Sequence, residues 1–479
     1  MQYVRKTTRR RNTGHARPGS RLGPGIFLSF SLLSGTALAD LPRHAAVPPT
    51  IPESAHADHM RMFGDHAAPV PKAEVPSTSG LTSTSPDRTV YGYWPYWGDP
   101  LSTLEWDKLT HVALFAVSLN ADGSLSNTYY WTNYAQTALS LGAPYGVRIH
   151  MTVTCFDSSV MTAVLSSAST RNRAVSEIAS LINDYGGDGA NIDFEGLPSS
   201  QKANFVTFIE DLRAEVEDLF IAMPAVDWSG AYDFDALADA SDGLFIMGYN
   251  YHWSTGDPGP NAPLYGGDPW SVYSLDWTVD DYLTYGAPAN RLILGLPLYA
   301  YEWPTTNNDV PGDATGTATA LFYSTAVADG EAYGRQWESL THTPYAFPDS
   351  HSQLWYDDVI SLEDKIAYAI DRNLQGVGFW ALTYEDSDPE FWDMVEAQTS
   401  GGGTPCADDD GDGFTTCGGD CDDADPDTYP GADEIPDDGV DNNCNGEIDE
   451  PTSPGCGASL NPREAERYTW SAILAGMIR

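Results

Sequence analysis

Two carboxylates, Asp193 and Glu195, lie two residues apart in the run Asp188-Gly189-Ala190-Asn191-Ile192-Asp193-Phe194-Glu195. Successive side chains of a β-strand point to opposite faces. In a strand, therefore, Asn191, Asp193 and Glu195 share one polar, acidic face, while Ile192 and Phe194 occupy the other. Desolvating an unpaired charge is costly, so a buried strand holds two carboxylates for a reason. Neighbouring carboxylates push one pKa up, which makes a proton donor at neutral pH. Protonation of a departing glycosidic oxygen needs such a donor.

The elements that must position these groups follow from eight short apolar runs. They are Val90 to Tyr93, Val112 to Val117, Val147 to Thr154, Ala190 to Phe194, Leu219 to Met223, Gly243 to Tyr249, Leu292 to Leu298 and Gly376 to Ala381. Between the fourth and fifth, Phe205, Phe208, Ile209, Leu212 and Val216 recur at helical spacing. Eight strands alternating with helices over residues 88–397 predict an α/β fold, a (β/α)8 TIM barrel. The stretch of about 302–356, between the seventh and eighth runs, is rich in Tyr, Phe and Trp and reads as a small α+β insertion. A barrel places catalytic groups at the C-terminal ends of its strands. Glu195 ends run four, Tyr249 and Asn250 end run six, Tyr299 follows run seven, Trp380 lies within the end of run eight, and Trp94 and Trp97 follow run one.

These residues resemble glycoside hydrolase family 18, the chitinase-like family, whose strand-four signature is Asp-x-x-Asp-x-Asp-x-Glu; here it reads Asp188, Asn191, Asp193, Glu195. The strand-six pattern Met-x-Tyr-Asp corresponds to Met247-Gly248-Tyr249-Asn250, and Leu294 to Tyr299 and Gly376 to Leu382 are similar to strands seven and eight. The resemblance implies a retaining, substrate-assisted hydrolysis, an exception to the two-carboxylate scheme. On that reading Glu195 protonates the glycosidic oxygen, Asp193 steadies the substrate's 2-acetamido group, and Tyr249 holds its carbonyl oxygen. Trp380 floors the sugar, with Asn191, Asn250, Tyr299, Trp94 and Met247 as further substrate contacts. Catalysis needs no cofactor. The implied substrate is a chitin-like β-1,4-linked N-acetylglucosamine polymer, with peptidoglycan glycan strands as the rival. Asn191 and Asn250 stand where the family has Asp, which keeps open a catalytically weak carbohydrate-binding protein.

Charge narrows the partners. The net charge is −44. A polyanion repels nucleic acid and anionic lipid, so a neutral polysaccharide with N-acetylated sugars is the expected partner, met by a monomer. Residues 1–39 carry seven basic and no acidic residues, an apolar run from Ile26 to Leu33, and Ala37-Leu38-Ala39. That order predicts a secretory signal peptide and a secreted or cell-surface protein. The apolar run is too short to span a bilayer. Residues 40–86, rich in Pro, Ala, His and Ser, read as a disordered linker.

A Gly-rich hinge at 398–405 leads to an acidic module at 406–450 with 17 acidic residues and no Lys or Arg. Asp408, Asp410 and Asp412 precede Gly413, and Asp441, Asn443 and Asn445 precede Gly446. Alternating oxygen ligands before a turn-permitting Gly open an EF-hand loop, so Ca2+ is the expected ion. Neither loop has Glu at position 12, where Gly419 and Thr452 fall. Cys406, Cys417, Cys421 and Cys444 read as two disulfides of open pairing. The module resembles metal-binding repeats of secreted bacterial proteins. Cys155 reads as a buried small hydrophobe, and the tail 451–479 has no assigned role.

Overall fold

The computed structural model describes residues 54–64 and 86–400, together with 425, 426, 428, 432, 435, 440 and 442. The chain begins there with α1 (Ala55–Phe63), then β1 (Thr89–Pro95), β2 (His111–Leu119), its short partner β3 (Leu125–Ser126), α2 (Tyr129–Gly142) and β4 (Arg148–Cys155). Next come α3 (Ser158–Leu165), α4 (Ala168–Tyr185), β5 (Gly189–Phe194), α5 (Lys202–Arg213), β6 (Asp218–Pro224) and α6 (Phe234–Ala240). β7 (Gly243–Met247), α7 (Leu275–Thr284) and β8 (Leu292–Pro297) continue the alternation.

Eight strands pair in parallel around a closed ring, β1-β2-β4-β5-β6-β7-β8-β14, with β14 (Gly376–Trp380) returning to β1. Each of the eight apolar runs is one of these strands. Parallel strands covered on both faces need near-continuous apolar sequence, and β5, β7, β8 and β14 are buried along their whole length. The helical spacing after run four is α5, whose Phe205, Phe208, Ile209 and Leu212 are all buried.

Inside the barrel, Tyr91 lies 5.2 Å from Phe220 and 5.6 Å from Phe245, ring centre to ring centre. Gly295 and Gly378 face each other across β8 and β14. A Cβ at either position would stand 2.4 Å from the Phe245 ring, so these glycines make room for it.

The insertion comprises β9 (Tyr299–Pro304), β10 (Thr319–Phe322), α8 (Tyr323–Tyr333), β11 (Gln336–Glu338), β12 (Thr343–Asp349) and β13 (Ser352–Trp355). Its antiparallel sheet has the order β10-β9-β13-β12-β11. It starts at Tyr299, three residues before the expected boundary, because β9 follows β8 with only Leu298 between them. α9 (Val359–Asp371) and α10 (Pro389–Thr399) complete the helical layer. The Thr399 carbonyl accepts the Asp87 and Arg88 N–H groups at 3.0 and 3.2 Å, joining the end of α10 to the start of β1.

The expectation of a linker throughout 40–86 is corrected at residues 54–64. Ser54 caps a helix there, its side chain accepting the Ala57 N–H at 3.0 Å. Residues 1–53 and 65–85, and with them the signal peptide, lie outside the described residues. So do the module's cysteines, Asp408, Asp410, Asp412, Asp441, Asn443, Asn445 and the tail. Cys155 is buried and free, as expected.

Candidate active site

β5 brings Asn191 and Asp193 to the barrel interior, and both are fully buried. Glu195 stands one residue past the strand, its N–H donating to the Cys155 carbonyl at 3.1 Å. Burial holds the Asp193 carboxyl well above the usual range. Burial, reinforced by Asp193, pushes Glu195 up to about 8, with His56 and Ser54 partly opposing the rise. Glu195 therefore carries its proton at neutral pH, as a general acid must.

Other strand ends complete the cluster. The Tyr93 hydroxyl, from β1, donates to Asn191 Oδ1 at 3.1 Å. Asn191 Nδ2 and Asp193 Oδ1 are buried without a hydrogen-bond partner in this structure. Met247 and Tyr249 lie at the end of β7, and Trp380 ends β14. Asn250 has a left-handed backbone, φ 60°, a conformation that Asn tolerates better than most residues. Its Oδ1 accepts the Tyr299 hydroxyl at 2.7 Å and the Tyr301 hydroxyl at 3.2 Å. Asn250 thus orders the tyrosines at the start of the insertion. An acceptor oxygen suffices for that, whether amide or carboxylate.

One expected contact is corrected. Trp94 is fully buried beside Tyr134 of α2, with its indole N–H donating to the Asp99 carbonyl at 2.8 Å. Its neighbour Tyr93 points into the barrel, so the period of two sends Trp94 to the helical layer. Trp97 donates to the Tyr384 hydroxyl at 2.8 Å, and Trp303 is fully buried. Two contributors were missed from the sequence: Tyr93, and Tyr232, whose hydroxyl donates to the Phe194 carbonyl at 2.6 Å beside Glu195. Tyr93 sits in the same run as Trp94, and only the strand's facing separates them.

The site is occupied by α1. His56 Nδ1 lies 2.8 Å from Asp193 Oδ2, and its Nε2 lies 2.7 Å from the Tyr249 hydroxyl. The same imidazole stacks on Trp380 at 3.8 Å with 30° between planes. The Ser54 hydroxyl donates to Glu195 Oε1. One turn on, His59 accepts the Trp380 indole N–H at 3.1 Å and sits edge-on to Tyr299 at 4.4 Å.

Beyond Glu195 a cavity of about 1100 Å³ continues, walled by Trp228, Trp253, Trp270 and Tyr273, with His252 among its lining. Among the described residues, two clusters bring three possible metal ligands within 4.8 Å: His56 with Asp193 and Glu195, and His111 with His150 and Asp218. In the first, both His56 nitrogens are already engaged. The second lies toward the opposite end of the barrel, where Arg148 Nε, 2.8 Å from Asp218, already supplies the cation.

The family model for glycosyl hydrolases family 18 matches residues 89–385, and a model of a metal-binding motif matches 420–450. Mouse chitotriosidase-1 is 28% identical over 275 residues, covering 49% of this chain and 58% of the relative. The cortical fragment-lytic enzyme of Bacillus subtilis is 22% identical over 319 residues, covering 60% and 68%. The chain spans a little over half the length of the first curated relatives it matches. A Cycas revoluta family 18 chitinase, solved with (GlcNAc)3, superposes with a TM-score of 0.59 at 22% identity over 65% of this chain and 99% of that one.

Proposed function

Since the chain belongs to glycosyl hydrolases family 18, we propose that it cleaves β-1,4 linkages in polymers of N-acetylglucosamine by a retaining mechanism assisted by the substrate. One observation carries this reading. A single planar ring, His56, touches Asp193, Tyr249 and Trp380 together, with the proton-bearing Glu195 beside it. Three groups that converge on one ring-sized space suit a sugar bearing a planar acetamide.

In the reaction Glu195 gives its proton to the leaving oxygen. The acetamide carbonyl attacks the anomeric carbon and forms an oxazolinium ion. Asp193 hydrogen-bonds the acetamide N–H, and Tyr249 steadies its carbonyl oxygen. Trp380 stacks under the pyranose, and water opens the intermediate with Glu195 as base. This chemistry calls on no cofactor. Exported location after removal of a leader, and an accessory metal ion in the C-terminal motif, are parts of the same reading.

The test is mass spectrometry of products from a GlcNAc hexamer. The enzyme form is the His56→Ala/His59→Ala double variant, which removes the rings seated on Trp380, with and without Glu195→Gln. Loss of general acid catalysis lowers the rate by roughly 10²–10⁴-fold. Cutting by the first form and not the second is expected. Equal cutting by both would remove Glu195 from the acid role, and binding without cutting by either would favour a carbohydrate-binding protein. Peptidoglycan is the second reading, favoured by the likeness to an enzyme that lyses cortical fragments. Its strands carry the same acetamide, so the same pair of variants on purified peptidoglycan decides between them.

A further inference from the structure

We propose that residues Ser54–Gly64 are a built-in inhibitor, which fills the sugar site of the intact chain and must leave before substrate binds. The proposal rests on the functional reading above for the identity of the displaced ligand. The occlusion itself stands on geometry.

The contacts are specific to the groups that do the chemistry. Ser54 takes the proton-donor oxygen of Glu195, and His56 takes Asp193 and Tyr249 at once. The His56 ring covers the Trp380 face on which a sugar would stack, while His59 takes the Trp380 indole N–H. Phe63 then rests 5.0 Å from Phe322 of the insertion. Ala55, His56, Asp58 and His59 are all buried. A sugar in contact with Trp380 and Asp193 cannot share this volume with the imidazole.

The local sequence makes the device. Ser54 is an N-cap, a position where Ser starts helices well. Residues 56, 59 and 63 lie at i, i+3 and i+7, so His56, His59 and Phe63 line one helical face. That face enters the barrel mouth, and exposed Arg61 points elsewhere. A nine-residue helix is marginal alone in water, so α1 depends on the site for its order. Release leaves every strand pairing of the barrel intact, since the segment precedes β1 and pairs with no strand.

The experiment uses the full chain, with hydrogen-exchange mass spectrometry on residues 54–64 beside hydrolysis of the GlcNAc hexamer. His56→Ala/His59→Ala removes the rings. Met60→Pro breaks α1 in its interior without altering any group in contact with Glu195, Asp193 or Tyr249. The parent segment is expected to be protected, and excess GlcNAc oligomer to abolish that protection. Both variants are expected to lose protection and to cut about tenfold faster or more, since a competent fraction sets the apparent affinity. An unprotected segment in the parent overturns the proposal whatever the activity. So does a protected parent that cuts as fast as the two variants. Loss of protection in the variants, with no cutting of hexamer or peptidoglycan by any form, leaves the occlusion standing and removes the proposed activity instead.

Discussion

At the scale of single residues, the site depends on where one proton sits. Glu195 is raised to about 8 by burial and by Asp193 while α1 covers it. The active form is the protonated one, so activity falls as pH rises through this pKa. Release of α1 admits water, which reduces the contribution of burial. It also removes His56 and Ser54, which hold the value down. The two effects oppose, and the basic limb of the freed enzyme is expected close to about 8. A pH–rate profile of the His56→Ala/His59→Ala form checks this. A profile with no basic limb near that value would show that a group other than Glu195 carries the proton. Asn191→Asp puts another acid on the same strand face, beside Asp193. Repulsion raises the neighbouring carboxyls further, so the limb moves to higher pH while activity persists. An unchanged limb would break the electrostatic link between these positions. The sequence made Asn191, Asp193 and Glu195 legible because alternation is a local property. Trp94 was misplaced for a related reason. A period of two says that Tyr93 and Trp94 face opposite ways, and it does not say which one faces in.

At the scale of elements, the eight strands and α5 could be read because each buries a continuous or periodic apolar surface. α1 could not, since its partners lie more than 130 residues away and its face is made of histidines. Those histidines give it a pH response. Burial depresses His56 to about 4, although Glu195 opposes the shift, and burial depresses His59 to about 3, aided by His56. Freed, both return to about 6.5. The free segment therefore takes up protons below about pH 6.5 that the docked one refuses until near 4, and acidification favours release. The groups facing His56 are Asp193, Glu195, Tyr249, Tyr93, Phe115 and Trp380; those facing His59 are Trp380, Tyr384, Tyr299 and Phe63. Asp58 lies on the same helix. Glu195 and Asp193, both raised by burial, work against the histidines wherever opening lowers their pKa and releases a proton, so the histidines decide at acid pH, where both carboxyls keep their protons. Exchange protection of residues 54–64 should then fall between about pH 6 and 4. Constant protection across that range would mean the histidines are not the lock.

The joint between insertion and barrel is a second element-scale device. Asp358 caps α9 through Ser361 and pairs with Arg335 at 2.7 Å, while Asp357 meets the fully buried Lys365. Replacing Asp357 by Ala leaves the Lys365 ammonium buried and unpaired, which costs about 3–5 kcal/mol. Asp358→Ala, a lost cap together with an ion pair to the partly exposed Arg335, costs about 1 kcal/mol. Denaturant midpoints of the two variants should separate in that order. Equal midpoints would mean that Lys365 finds another partner.

Over the whole molecule, the negative charge is spread unevenly, and the C-terminal motif concentrates it. Seventeen acidic residues without a cation repel one another in residues 406–450, so an ordered module needs a counter-charge. The family model covers 420–450, which contains the loop at Asp441, Asn443 and Asn445 but leaves out the loop at 408–413. In the second loop the buried Asn442 turns its side chain to the protein. Its Oδ1 accepts the Ile435 N–H at 2.9 Å, and its Nδ2 donates to Thr428 Oγ1 at 3.4 Å. Position 2 thus serves as scaffold, and on the proposed reading the alternate positions 1, 3 and 5 would take the ion. Calorimetric titration of the full chain with calcium should show binding that Asp441→Ala abolishes. Asn442→Ala should weaken it, because the loop loses its tether while every ligand oxygen remains. Saturating calcium at a hundredfold over Kd stabilises the bound form by about 2.7 kcal/mol. That gain should appear in the melting of the C-terminal part and leave the transition of the barrel in place, since Gly401, Gly402 and Gly403 lie between the two in sequence, after α10 ends at Thr399. Heat from a different divalent cation alone would reassign the ion and keep the loop. No heat from any would return these acidic residues to the role of a solvated spacer.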